Sequence, residues 1–234
     1  MQEVRGSTPL ASTNTQTWAS VNYFLRNLIA QGEHQQLEFK FEITDAKRIA
    51  RTLTAFSNTD GGRILIGVKD NGVIAGVRSE EEYYMLQAAA GMYCRPMVDY
   101  AIHPFTEEGR VVLVVEVRKN HATWFKTPGN GNEWVVYIRV NDQNFVADKI
   151  IINARKRRRK KQGTHISYSV VEQKVMDYLK QEKAQTVPGI SRAAMLSIPE
   201  TEKILTDLFS VGLICPRFGE GLIMYELADP EKNH

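Results

Sequence analysis

Residues Arg155–Lys161 are seven consecutive cations, and no hydrophobic core can take in such a run. The run must lie at a surface. It divides the 234-residue chain into a longer stretch before it and a shorter one after it, each needing a core of its own. It also holds the whole net charge of +3: residues 1–154 carry 16 Lys and Arg against 17 Asp and Glu, and residues 162–234 carry 7 against 10. The basic character is local, so a polyanion is expected to meet the chain at this segment.

The remaining composition narrows the class. A hydrophobic fraction of 43% and a charged fraction of 24% are ordinary globular values, unlike those of collagenous or wholly disordered chains. No stretch reaches the ~18 apolar residues of a membrane span, and the N-terminus has no basic segment followed by an apolar one. A cytoplasmic protein without a membrane partner is the expectation. Cys94 and Cys215 stand far apart with no Cys-x-x-Cys pair, which argues against a disulfide framework or a structural zinc site. The five His form no His-x-x-x-His pair, and neither a nucleophile motif nor a Gly-x-x-x-x-Gly-Lys-Ser/Thr phosphate cradle is present.

Residues 1–16 have almost nothing apolar to bury and read as a flexible tail. From Trp18 to Ile29 apolar residues recur at helical spacing. Leu37, Phe39 and Phe41 then alternate with Glu38, Lys40 and Glu42, the pattern of a half-buried strand with Glu38 and Lys40 on its polar face. A helix carrying Ile49, Leu53 and Phe56 inward follows, ended by Asp60-Gly61-Gly62, then a buried strand from Arg63 to Lys69. Asn71-Gly72 marks a tight turn into a strand over 73–77. A helix over 79–93 and strands near 97–105, 110–117 and 134–140 complete an α+β domain with a mixed sheet, over 17–153. Residues 154–165 read as a basic linker. Over 166–229 three helical patterns precede two β-rich runs flanking Phe218-Gly219-Glu220-Gly221, the layout of a small winged-helix domain, with 230–234 as a C-terminal tail.

Three segments carry a family likeness: Gly32-Glu33-His34-Gln35-Gln36-Leu37-Glu38-Phe39-Lys40, then Ala55-Phe56-Ser57-Asn58-Thr59-Asp60-Gly61-Gly62, then Ile66-Gly67-Val68. Together with Tyr137-Ile138-Arg139-Val140 they resemble the Schlafen AlbA-type domain over roughly residues 18–150. The resemblance implies nucleic-acid binding, beside a winged-helix module in some relatives. In animal Schlafens that cleave RNA three acids are implicated, and the matching positions here are Glu33, Glu38 and Asp70. Such carboxylates suit a site for Mg²⁺ or Mn²⁺ that activates water, provided Glu33 lies in a bend before the strand so that it and Glu38 converge. A plain structural reading stands beside this one, with Asp70 as a turn residue and Glu38–Lys40 as a surface pair.

The expected nucleic-acid contacts are Lys40, Asn58 and Thr59 in the first domain, then Arg155, Lys156, Arg157, Arg158, Arg159, Lys160 and Lys161, then Lys203 and Arg217. The loop at Asn58–Gly62 reads either as backbone N–H groups offered to a phosphate or as the turn that ends a helix. The third helix of the C-terminal unit is expected to expose Glu200, Glu202, Lys203, Thr206, Asp207 and Ser210, a net acidic set. That leaves a protein contact or homodimer interface as the rival to DNA readout. Three functions stay open at this point: a DNA- or RNA-binding regulator, a metal-dependent nuclease, and a non-catalytic interaction module.

Overall fold

A computed structural model describes residues 15–131, 133–159, 168–219 and 221–229, with side chains from residue 23 onward. The expected tails, apart from Thr15 and Gln16, and the expected contacts Lys160 and Lys161 lie outside the described residues. Helix α1 spans Thr15–Ala30 and strand β1 spans Leu37–Lys40. Helix α2 spans Ala46–Asn58 and opens on Asp45, whose carboxylate accepts from Lys47 N at 2.8 Å. Strand β2 is Gly62–Ile66, α3 is Glu81–Met92, β3 is Tyr100–Glu107 and β4 is Arg110–Val117.

These strands form one mixed sheet in the order β1-β2-β4-β3, with β1 parallel to β2 and the other pairs antiparallel. The two central strands are apolar on both faces because both faces are covered. Ile64, Ile66, Leu113 and Val115 pack with Ile49, Leu53 and Phe56 of α2 and Leu86 of α3. On the other side Leu65, Val112 and Val114 meet Leu25 and Leu28 of α1. The Asn71-Gly72 turn forms, but no strand follows it. Val68 and Ile74 make a single bridge, and the N–H groups of Ala75 and Gly76 both donate to Gly67 O, so the chain curls back instead of building a ladder.

Two short pairings complete the first unit: β5 (Thr127–Pro128) with β6 (Trp134–Val135), and β7 (Tyr137–Val140) with β8 (Gln143–Val146). The expected strand over 134–140 is thus broken at Val136. Helix α4 then spans Lys149–Arg158, so the first half of the expected linker is helical. The physical reason is an N-cap, Asp148, whose carboxylate accepts from Ile151 N at 2.9 Å, followed by the buried stripe Ile150, Ile151 and Ala154.

The C-terminal unit consists of α5 (Val170–Gln181), α6 (Val187–Ala194) and α7 (Ile198–Ser210), then the antiparallel hairpin β9 (Ile214–Gly219) and β10 (Leu222–Leu227). Ser169 and Ser197 each cap a helix, with Glu172 and Glu200 closing the box, and both carboxylates are held below their usual range by the serine hydrogen bonds. Its core, built on Val175, Leu179, Ile190, Leu205, Leu208 and Tyr225, also takes in Ile150 of α4. Helix α4 therefore belongs to both units. Its Ile151 joins Val136 and Ile138 in a cluster that Phe209 and Phe218 also touch.

Candidate nucleic-acid interface

Glu38 is buried, contrary to its expected place on a polar face, because Arg139 of β7 arrives beneath it. Arg139 is 2% exposed, and its Nη1 pairs with Glu38 Oε2 at 2.7 Å. The guanidinium also donates to Asn141 O at 3.0 Å and to His34 O at 3.3 Å, and it lies 5.2 Å from the centre of the Phe56 ring. Lys40 pairs with the other Glu38 oxygen and donates to Phe39 O at 2.8 Å. A buried charge needs this degree of satisfaction, and the result is a staple that fixes the β7–β8 hairpin against β1.

The bend needed before β1 exists, closed by the His34–Leu37 bridge. Two of the three acids are engaged elsewhere, however, and the third lies at a turn. Glu33 Oε1 accepts from Phe39 N at 2.8 Å, Glu38 serves Arg139 and Lys40, and Asp70 is exposed at the turn that Lys69 N closes on Val73 O. Among the described residues no group of three His, Cys, Asp or Glu is placed to hold a metal ion, so the expected Glu33–Glu38–Asp70 convergence is not formed.

Asn58 and Thr59 are likewise turned inward. Asn58 Nδ2 donates to Phe125 O and Tyr137 O, both at 2.8 Å, and its Oδ1 accepts from Phe125 N at 2.9 Å. Thr59 Oγ1 donates to Ala55 O at 2.7 Å and accepts from Arg139 N at 2.9 Å. Gly61 N closes the helix on Phe56 O, and a Cβ at Gly61, whose φ is +73°, would stand 2.8 Å from Val117 O. The Asn58–Gly62 segment is thus a helix-ending turn fitted against β4, and its Asp60, Gly61 and Gly62 border a polar cleft that Arg63, Arg118 and Lys119 also line.

The cations of α4 behave differently from one another. Arg157 pairs with Asp207. Arg155 donates to Asn58 O and Asn120 O, both at 2.7 Å, and lies 4.0 Å from the centre of the Trp124 ring system. Arg158 donates to Ser210 O at 3.1 Å and to Phe209 O, with the Phe209 ring centre 4.5 Å away. Burial holds both guanidinium groups below their ordinary pKa, and the charge of Arg159 adds to the effect at Arg155. Lys156, Arg158 and Arg159 are exposed, Arg158 despite its contacts with α7.

Helix α7 turns one flank to α4. Thr206 and Ser210, expected at the surface, are 3% and 8% exposed, and Asp207 serves Arg157. Lys203 is exposed, and Arg217 of β9 pairs with Glu226 of β10 at 3.1 Å. Between α4, the end of α2, β7 and β9 lies a cleft of about 500 Å³ with Trp124, Ile138, Phe209 and Phe218 in its walls and Arg155, Arg158 and Arg159 around it.

Residues 33–148, from the Glu33 bend through the Arg139 staple to the cap of α4, match the family described as Schlafen, AlbA_2. The chain carries a Schlafen AlbA_2 domain. The crystal structure of the DIP2311 protein from Corynebacterium diphtheriae is similar at 14% identity and a TM-score of 0.44, over 79% of this chain and 36% of that one. This chain thus spans little more than a third of that protein. The solution structure of the N-terminal domain of a RecG-related protein from Nitrosomonas europaea is similar at 22% identity and a TM-score of 0.35, over 55% of this chain and 95% of that one. No curated protein matches the chain. Among the described residues no helix is long and apolar enough to cross a membrane.

Within the Schlafen AlbA_2 domain the residues that sequence reasoning missed are those on the cleft, Trp124 and His121. The signal for α4 was legible, since Asp148 precedes Ile151 and Ala154 at capping and helical spacing. Nothing in the spacing links Trp124 to Arg155, which is brought beside it only when α4 folds.

Proposed function

We propose that the chain is a nucleic-acid-binding protein of regulatory type. It holds the phosphate backbone on its Schlafen AlbA_2 domain and on the basic turn that ends α4, with the C-terminal helices and hairpin acting as a winged helix docked on that turn. The observation that carries this reading is the seating of the basic run. Helix α4 is gripped by both cores through Ile150 and Ile151, and it delivers Lys156 and Arg159 to solvent from a rigid base. Cations so presented neutralise phosphates without paying the ordering entropy of a free tail. Because α7 turns Thr206, Asp207 and Ser210 to α4, binding is dominated by charge rather than by base edges in a groove.

The test is replacement of Lys156, Arg159, Lys160 and Lys161 by Gln, sparing the arginines with structural bonds. Affinity for DNA and RNA of any sequence should fall, and the log–log salt slope should flatten by roughly 0.7–0.9 for each phosphate that is no longer neutralised, with the melting temperature unchanged. An unchanged slope would remove the run from the interface.

A further inference from the structure

The cleft between the two units combines two properties that rarely coexist. Its walls are apolar and aromatic, and three guanidinium groups stand around it with no carboxylate within ion-pair distance among the described residues. The contrast with neighbouring arginines is direct, since Arg139 has Glu38 and Arg157 has Asp207. Arg155 and Arg158 are held by neutral carbonyl oxygens and aromatic rings, with His121 Nδ1 also 3.2 Å from Arg155 Nη2, and none of these partners is an anion that would cancel their charge. Each guanidinium has five N–H donors, and the bonds above leave donors over on both. The one acid in the lining, Asp60, accepts from Gln35 Nε2 at 2.9 Å and does not offset three cations.

Cations at the rim of an apolar hollow, with Arg155 half-buried and Arg158 and Arg159 exposed, suit an anion that brings its own flat apolar body. The volume of about 500 Å³ falls within the ~300–1,000 Å³ range of sites that enclose a small organic group. We infer that this cleft receives one nucleotide unit of a single-stranded nucleic acid, its base between the walls carrying Trp124 and Phe218 and its phosphate on Arg155, Arg158 and Arg159. The inference rests on the nucleic-acid reading above and adds strand type and place to it. A base paired within a duplex cannot enter such a hollow without being flipped out, so single strands are preferred.

The experiment uses the full chain with Trp18 and Trp134 replaced by Phe, so that Trp124 is the only tryptophan and is excited selectively over the tyrosines, titrated with a short oligothymidylate, a duplex of equal length and thymidine monophosphate. The single strand should alter Trp124 emission and bind about tenfold more tightly than the duplex, the scale of one base stacked on aromatic walls. Val140→Phe, which adds bulk to the cleft from β7, and Phe218→Leu, which removes a ring from its lining on β9, should each abolish the Trp124 response and the strand preference while leaving duplex affinity in place. Either variant decides the matter if the other fails to fold. Equal binding of single strand and duplex without a Trp124 change overturns the cleft and leaves the nucleic-acid reading standing. No binding of either overturns both. A response to the monophosphate as strong as to the oligonucleotide, at equal nucleotide concentration, identifies a free nucleotide as ligand and overturns the single-strand assignment.

Discussion

The arginine at the centre of the Schlafen AlbA_2 domain and the arginines on α4 are all held in place, yet they are held by different chemistry. Arg139 is enclosed by Glu38, backbone carbonyls and the Phe56 ring, and it is ion-paired where it stands, on a carboxylate that it shares with Lys40. Arg155 and Arg158 are fixed by carbonyls and rings, with His121 Nδ1 also 3.2 Å from Arg155 Nη2, and neither has a carboxylate partner among the described residues. A paired buried cation fastens one piece of fold to another, whereas a cation positioned by neutral groups stays available to a ligand. The same residue type thus serves architecture in one region and, in the function proposed above, recognition in the other, and the carboxylate makes the difference.

The comparison breaks most visibly at Arg139. Arg139→Met leaves Glu38 buried without its main partner, and thermal or urea unfolding should show a loss of about 3–5 kcal/mol. Glu38→Gln should cost nearly as much, and the double replacement less than the sum, because the residual isolated charge is removed along with its partner. Full additivity would mean that the two groups do not act as a pair.

Asn58 offers the next largest effect and tests an inward-facing residue that the sequence places at the interface. Asn58→Ala frees the Phe125 N–H and two backbone carbonyls in a buried setting, which should lower stability by roughly 2–3 kcal/mol. The salt slope of nucleic-acid binding should not move. A flattened slope with stability intact would return Asn58 to the phosphate-binding surface.

How much of this is legible in the sequence follows from the range of each interaction. The sheet's central strands and α2 announce themselves locally, through apolar runs and periodicity that need no distant partner. Glu38 is misplaced by alternation because its burial depends on Arg139, 101 positions later, and alternation alone assigns a charged residue to water. The strand expected after Asn71-Gly72 is missing because Gly76, at φ +77°, turns the chain away from the ladder. The three acids are grouped only by a resemblance, while the structure gives each a separate local partner or none that it shares. The C-terminal helices are legible in number and order, but the flank that α7 buries is not, since its neighbour α4 carries the charge run that reads as linker.

An alkaline titration tests burial in the same first domain. Cys94 is 3% exposed, and burial pushes its thiol up to about 12 from an ordinary value near 9. The folded state therefore keeps a proton that the unfolded chain releases, so this contribution is complete below about pH 9 and is lost as the pH rises towards 12. Urea midpoints should fall across that window and fall less in Cys94→Ala. At pH 8 a thiol reagent should label the partly exposed Cys215 well before Cys94. Equal labelling of the native protein would contradict the burial.

The smallest effect is expected where a cation has a carboxylate but no burial. Arg217 meets Glu226 at 3.1 Å across the β9–β10 hairpin, with side-chain exposures of 61% and 30%. Water screens this pair, so Arg217→Gln should change stability by no more than about 0.5 kcal/mol. It also separates the two accounts of the C-terminal unit. If the wing reads bases, Arg217→Gln and Lys203→Gln will narrow the preference recovered when duplexes are selected from random sequence. If affinity resides in the cations seated on α4 and around the cleft, the same selection returns no preferred duplex for either protein, and the two variants bind single strands as tightly as the parent does. The second outcome is the expected one, because Arg217 is already neutralised by Glu226 and Lys203 is the only cation in a helix with three acids, whereas Arg155, Arg158 and Arg159 stand unpaired among the described residues.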